Sequence, residues 1–389
     1  MIELLSKIFI KNRDDPTSPE TRRAYGTLCG AVGIAFNILL SIAKLIGASL
    51  TGSVSVAADA MNNLSDAGSS AVTLVGFRLA GQKPDHTHPF GHGRIEYISG
   101  FIVSMIIILM GFELGKSSVE KIISRETSEF SVVTVVILAL SIAVKLYMYL
   151  YNTAIAKKIS SAAMRATAAD SLSDCIATGA VLVCTVVSGF SSLPLDGWCG
   201  LAVSVFILRS GIMTAKDTLD PLLGTPPDAG FVDRIKSIVM SYPEVSGMHD
   251  LIVHNYGPGR TMISLHAEVP QTVNILEIHD TIDNIERRLA SELNCNAVIH
   301  MDPIATDDKL TVSTREKVAE LVRALDPAIT IHDFRMVVGQ THTNLIFDMV
   351  IPFAFRLSDN EVKAETDRLV KVISPDYHAV VNIDKSYTD

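Results

Sequence analysis

Charge is scarce in this chain, and so are the motifs of soluble enzymes. Only 19% of its 389 residues are charged, with a formal net charge of −9. The basic residues never gather into the run that a nucleic-acid surface needs, so nucleic acid is excluded as a partner. The glycine-rich phosphate loop GxxxxGK[ST] is missing, which removes ATP-driven pumping by this chain. HExxH is missing too, and with it a helix-borne metallohydrolase, so no enzyme activity and no resident cofactor are expected. The five cysteines (Cys29, Cys175, Cys184, Cys199 and Cys295) show no CxxC spacing. They read as small core residues in a reducing or membrane setting rather than as a disulfide framework.

What the chain has in excess is apolar length. Hydrophobic residues make up 48% of it, and the mean hydropathy is +0.33. The excess lies in the first half, where six segments (about 26–50, 54–80, 97–114, 130–151, 162–187 and 193–213) are long enough to span a bilayer. Arg22, Arg23, Lys83, Arg94, Lys157, Lys158, Arg165 and Lys216 flank them on one side. The positive-inside rule then places both termini in the cytoplasm of an integral membrane protein, most simply in a prokaryotic cytoplasmic membrane. The segment 1–23 is amphipathic, interrupted by Glu3 and Lys7, and reads as a helix on the cytoplasmic face rather than a secretory signal. The expected organisation is this segment, a transmembrane domain over 24–215, a linker over 216–228, and soluble domains over 229–305 and 306–389.

Two apolar segments carry polar stretches that an anchor would not need. Asn62 and Asp66 lie four residues apart, as do Asp170 and Asp174. On a helix each pair shares a face, with side chains about 6 Å apart. An Asp at the bilayer centre costs roughly 2.5–3.5 kcal/mol on insertion scales, and a shared cation repays that cost most simply. The four side chains together offer a hard, all-oxygen metal site. Asp59 lies on the same stripe and is expected to be solvated near an interface. The loop that follows, Asp85-His86-Thr87-His88-Pro89-Phe90-Gly91-His92-Gly93-Arg94, holds three histidines and an aspartate, all metal ligands by type.

From residue 229 the period becomes that of a soluble α+β domain in the order α-β-β-α-β. His249, His266, His300 and Asp302 fall on its expected strands, and His279 on its helix. His300 and Asp302, two apart on a strand, share a face. The stretch 310–389 parallels this domain: His249-Asp250-Leu251 matches His332-Asp333-Phe334, and 296–302 matches 377–384. His266 corresponds to Asp348 and His300 to Asn382, while His332 and Asp384 retain ligand chemistry. With its ligands so changed, the second copy either binds a harder metal weakly or serves packing and dimerisation, and packing is the expected role.

The polar second span, the loop DHTHPFGHGRIE and the DSLSD of the fifth span resemble the cation diffusion facilitator family. The resemblance covers Arg22 to about Pro303. It implies a homodimeric metal/proton antiporter with six transmembrane helices and a ferredoxin-like cytoplasmic domain. It implies that Asn62, Asp66, Asp170 and Asp174 form the transport site, and Asp85, His88 and His92 a loop site. His249, His266, His279, His300 and Asp302 would form the cytoplasmic site, and Arg94 with Asp220 an interface pair. Zinc-transporting members typically carry Asp at the position of Asn62 and His at that of Asp170. The all-oxygen set resembles the manganese type, so efflux of Mn2+ ahead of Zn2+ or Fe2+ is expected. A Zn2+/Fe2+ exporter of the same family, or a membrane-anchored metal sensor without transport, are the alternatives.

Overall fold

The computed structural model describes residues 2–10, 18–51, 54–124, 132–188 and 196–386, and the side chain of Asp59 lies outside what is described. The chain divides into two compact units. One is Met1–Thr225 with Asn255–Arg260, the other Pro226–His254 with Thr261–Asp389.

The first unit is helical. A short amphipathic helix α1 (Ile2–Phe9) precedes α2 (Pro19–Thr51), α3 (Val54–Ala80), α4 (Ile95–Ser124), α5 (Val132–Lys158), α6 (Ala162–Ser188) and α7 (Asp196–Leu223). Among the described residues, four stretches are long and apolar enough to cross a membrane: Glu20–Gly47, Ile95–Ser124, Val135–Lys158 and Gly197–Leu223. The other two expected spans are the equally long helices α3 and α6. They read as less apolar because their buried faces carry Asn63, Asp66, Ser70 and Thr73 on one, and Asp170, Ser171 and Asp174 on the other.

The helices pack as close pairs, α2 on α3, α4 on α7 and α5 on α6. Small residues allow this approach, as is usual in membranes. Gly26 of α2 lies under the ring of Phe77, and a Cβ at Gly100 would sit 3.0 Å from the Cα of Ala163. The linker expected over 216–228 is helical as far as Leu223. There Gly224, at φ +104°, closes α7 by donating to the carbonyl of Asp220 at 3.0 Å.

The second unit repeats one element order. It runs α8 (Ala229–Val239), β1 (Gly247–Asn255), β2 (Thr261–Pro270), α9 (Ile275–Leu293) and β3 (Cys295–Ile304). Then follow α10 (Lys309–Arg323), β4 (Thr330–Val338), β5 (Thr343–Pro352), α11 (Asp359–Ile373) and β6 (Tyr377–Ser386). The strands form two three-stranded sheets, β1-β2-β3 and β4-β5-β6, and β2/β3 and β5/β6 both run parallel.

Alternation writes the cores directly. Ile263, Leu265 and Ala267 of β2 pack on Ile285 and Leu289 of α9, while Leu345, Phe347 and Met349 of β5 pack on Val362 and Val370 of α11. Side-chain caps start the helices, with Asn274 for α9, Asp308 for α10, and a full Ser358/Glu361 capping box for α11. Corresponding residues in β1 and β4, Asp250 and Asp333, share the left-handed conformation at φ 50° and 49°. Aspartate tolerates that region better than most residues, yet finding it twice marks a built kink after each strand histidine.

Candidate metal sites

The membrane site begins with burial. Asp66 of α3 and Asp170 and Asp174 of α6 are 1%, 5% and 5% exposed. Helix α5 brings a residue that the flanking-charge pattern did not single out, Lys145. Its Nζ donates to Asp66 Oδ2 at 2.7 Å and to Asp174 Oδ2 at 2.6 Å, bridging the two acidic helices. Asp66 Oδ1 and Asp170 Oδ1 are buried without a hydrogen-bond partner. Buried carboxylate oxygens left without a partner are chemically suited to a divalent cation.

Asn62 is exposed on α3, and among the described residues it makes no hydrogen bond to the three carboxylates. Its neighbour Asn63 is the buried amide, accepting from Lys44 Nζ at 3.2 Å. A lysine in the middle of an apolar span is as costly as an aspartate, and this was the available signal for Lys145.

The loop site is drawn together around Asp85. Asp85, His88 and His92 each present a ligand atom within 4.8 Å of the others. The Asp85 oxygens lie 3.5 Å from His88 Nδ1 and 3.4 Å from His92 Nε2. The Thr87 hydroxyl and the Thr87 and His88 amides donate to Asp85 and hold its carboxyl below the usual range. Arg94 does not meet Asp220 in this chain. Its guanidinium donates to the carbonyl of Asn255 at 2.9 and 3.1 Å and stacks over Tyr256, all within the first unit.

In the second unit, His249, His266 and Asp302 converge. Asp302 Oδ2 lies 3.2 Å from His249 Nε2 and 2.9 Å from His266 Nδ1. The exposed His300 ring sits 4.7 Å from that of His266, with Nε2 3.4 Å from Asp302 Oδ1. His279, exposed on α9, stands outside this cluster. Burial works against charge on His249. Its contact with Asp250, aided by Asp302 and Glu268, outweighs that burial and raises its pKa.

A further group comprises Asp250, His332, Asp348 and Asp384, again within 4.8 Å of one another. The two groups adjoin, because the His249 and His332 rings stack at 4.0 Å. Burial, then the neighbouring His249, pushes His332 down; burial followed by mutual repulsion pushes Asp384 up, and burial chiefly pushes Asp348 up.

Helices of this length bearing buried carboxylates, joined to a ligand-rich α+β unit, define a membrane cation transporter. Residues 31–223 match the cation efflux transmembrane domain, and 227–304 match the cytoplasmic domain of cation efflux proteins. An uncharacterised transporter of Methanocaldococcus jannaschii is 32% identical over 272 residues, covering 70% of this chain and 96% of the relative. The manganese efflux system protein MneS of Bacillus subtilis is 29% identical over 276 residues, 70% of this chain and 94% of its own. The cation-efflux pump FieF of Cronobacter sakazakii is 28% identical over 283 residues, 72% and 94% of the two chains. The chain belongs to the cation diffusion facilitator family of cation efflux proteins, integral membrane transporters rather than enzymes.

Proposed function

We propose that this protein exports divalent transition-metal ions in exchange for protons, with Mn2+ ahead of Zn2+ and Fe2+. It would work as a homodimer in a prokaryotic cytoplasmic membrane, with both termini inside. One observation carries the reading: Asp66, Asp170 and Asp174 are buried in two long helices, with orphaned oxygens and the Lys145 ammonium bridging Asp66 and Asp174. None of the 11 histidines falls within the helices α2 to α7, and the four side chains proposed as membrane ligands offer oxygen atoms only. Carboxylate and amide oxygens suit Mn2+, whereas Zn2+ gains from imidazole or thiolate. The names of the relatives, one a manganese and one a general cation efflux protein, are compatible with this order.

In the mechanism, Lys145 holds Asp66 and Asp174 in the metal-free state. An arriving dication displaces the ammonium and binds these oxygens with Asp170. Asn62 joins from one turn away after its side chain turns toward Asp66. Carboxylates bind metal only when deprotonated, so metal and protons compete for one site. Alternating access then exposes that site to either side. Asp85, His88 and His92, and the cluster of His249, His266, His300 and Asp302, bias the exchange by binding metal differently in its two conformations. His279 is kept as an outer ligand candidate of that cytoplasmic cluster, and the Arg94–Asp220 pair is assigned to a contact across the homodimer.

The test is metal flux into proteoliposomes under an imposed pH gradient, comparing Mn2+, Zn2+ and Fe2+. Wild type should carry Mn2+ fastest, and Asp174→Ala should abolish flux. Asn62→Asp combined with Asp170→His should swing preference toward Zn2+. Equal Zn2+ and Mn2+ flux in wild type would refute the selectivity, and no flux of any metal would refute transport in favour of sensing.

A further inference from the structure

The geometry points to a second cation site in the soluble unit, built by Asp250, His332, Asp348 and Asp384, for a divalent transition-metal ion such as Mn2+ or Fe2+. It lies mostly in the sheet β4-β5-β6, beyond residue 304 where the cytoplasmic-domain match ends.

Three observations converge on it. First, each of the four residues offers one ligand atom within 4.8 Å of the others. Second, His332 is only 7% exposed, yet neither ring nitrogen has a hydrogen-bond partner, and neither does Asp384 Oδ2. The Nε2 of His332 stands 3.5 Å from that oxygen and 3.7 Å from Asp250 Oδ1. Those separations are long for hydrogen bonds. They suit neighbouring ligands of one ion, which at bond lengths of about 2.0–2.6 Å stand roughly 3–4 Å apart. Third, three carboxylates meet here, and among the described residues no lysine or arginine forms an ion pair with Asp250, Asp348 or Asp384. Such a group repels itself unless a cation neutralises it.

The ligand set also says which cation. One imidazole among carboxylates favours Mn2+ or Fe2+ over Mg2+ and Ca2+, which take oxygen alone. The neighbouring cluster of His249, His266 and Asp302 is richer in imidazole, so the two sites differ in hardness although their strands correspond. Asp250 comes from β1 and the other three from β4, β5 and β6. An ion held there ties the two sheets together. Glu268 of β2 already links them, accepting from the Asp333 amide at 3.2 Å and pairing with Arg315 at 3.4 Å. The replacement of His266 by Asp348 in the second sheet is therefore a change of metal preference, not the loss of a site.

The experiment uses the full-length protein in nanodiscs with Mn2+ alone as probe. Bound Mn2+ is counted by equilibrium dialysis, and hydrogen exchange is followed on β4 and β6. Asp348→Asn with Asp384→Asn should bind one Mn2+ fewer per chain than wild type and lose the Mn2+-induced protection of both strands. Its metal-free melting temperature should hold or rise, because repelling charges are gone. His332→Gln should weaken the same site at least tenfold, and the single Asp348→Asn gives the same reading should the double variant fold poorly. Unchanged stoichiometry and protection in these variants would overturn the proposal. So would equal protection by Mg2+ at the same concentration. Neither readout involves flux, so failure of the transport reading would not imitate failure here.

Discussion

Replacing Lys145 by methionine removes the cation that bridges Asp66 and Asp174 while keeping an unbranched side chain of similar length. Its Nζ lies 2.7 Å from Asp66 and 2.6 Å from Asp174, and all three side chains are at most 5% exposed. Breaking a buried pair by deleting one partner costs roughly 3–5 kcal/mol. The metal-free protein carries that cost, whereas in the loaded protein the metal neutralises the same oxygens. Spread over about 1.4 kcal/mol per decade, the difference raises metal affinity by roughly two to three and a half orders of magnitude. Protons taken up by the freed carboxylates give part of this back, so a tenfold tightening is the minimum expected. Turnover should fall at the same time, because no ammonium returns to help expel the ion. Mn2+ titration in nanodiscs reads the first effect and proteoliposome flux the second. Wild-type affinity and wild-type flux together would refute the idea that Lys145 and the metal share one position.

The adjacent amides separate ligand from scaffold. Asn62→Ala should cut Mn2+ flux at least tenfold with little change in melting temperature, while Asn63→Ala, which removes an acceptor of buried Lys44, should destabilise by about 1–3 kcal/mol. Phe347→Ala empties the centre of the second sheet's core, and urea unfolding followed by exchange on β5 should show a loss of about 3–5 kcal/mol. Glu361 is held below the ordinary glutamate range by the Ser358 amide and hydroxyl. Its folded value thus lies under its unfolded one, so its stabilisation is complete above the unfolded value and disappears as pH falls through the folded one. Glu361→Gln should remove that acid-side step in exchange at the start of α11. Gly91→Ala forces an L side chain into φ +82° and into the Arg260 guanidinium, and should weaken metal binding at Asp85, His88 and His92.

Much of this was legible from period and residue type. Apolar length announced the long helices, alternation announced β2 and β5, and clustered ligand types marked the loop, from which the family resemblance picked out Asp85, His88 and His92. Three features were not legible, each for a physical reason. Hydropathy flags a lysine's cost but not its partner, so the bridge from Lys145 to two other helices needed the packing of α5 on α6. Helical spacing placed Asn62 and Asp66 on one face, but the helix turns by about 100° per residue, leaving Asn63 nearly as close to that stripe. The buried side of α3 runs through Asn63 instead. Strand spacing shows which residues share a face, but not that two faces will abut, so the role of Asp250 was hidden until β1 and β4 stood side by side.

That last juxtaposition bears on why the second sheet carries the residues it does. A copy retained only for packing would be free to replace His332, Asp348 and Asp384 with apolar residues, and burial would favour doing so. Instead the unit buries an imidazole with no hydrogen-bond partner beside carboxylates that burial and mutual repulsion disfavour. It also repeats the left-handed kink after the strand histidine, at Asp333 as at Asp250. The unpartnered imidazole and the crowded carboxylates destabilise the metal-free fold, and a dication at the proposed site would offset both. On the proposed site, the two sheets would hold together more tightly when metal is abundant, which is the condition under which an exporter needs its soluble unit to respond.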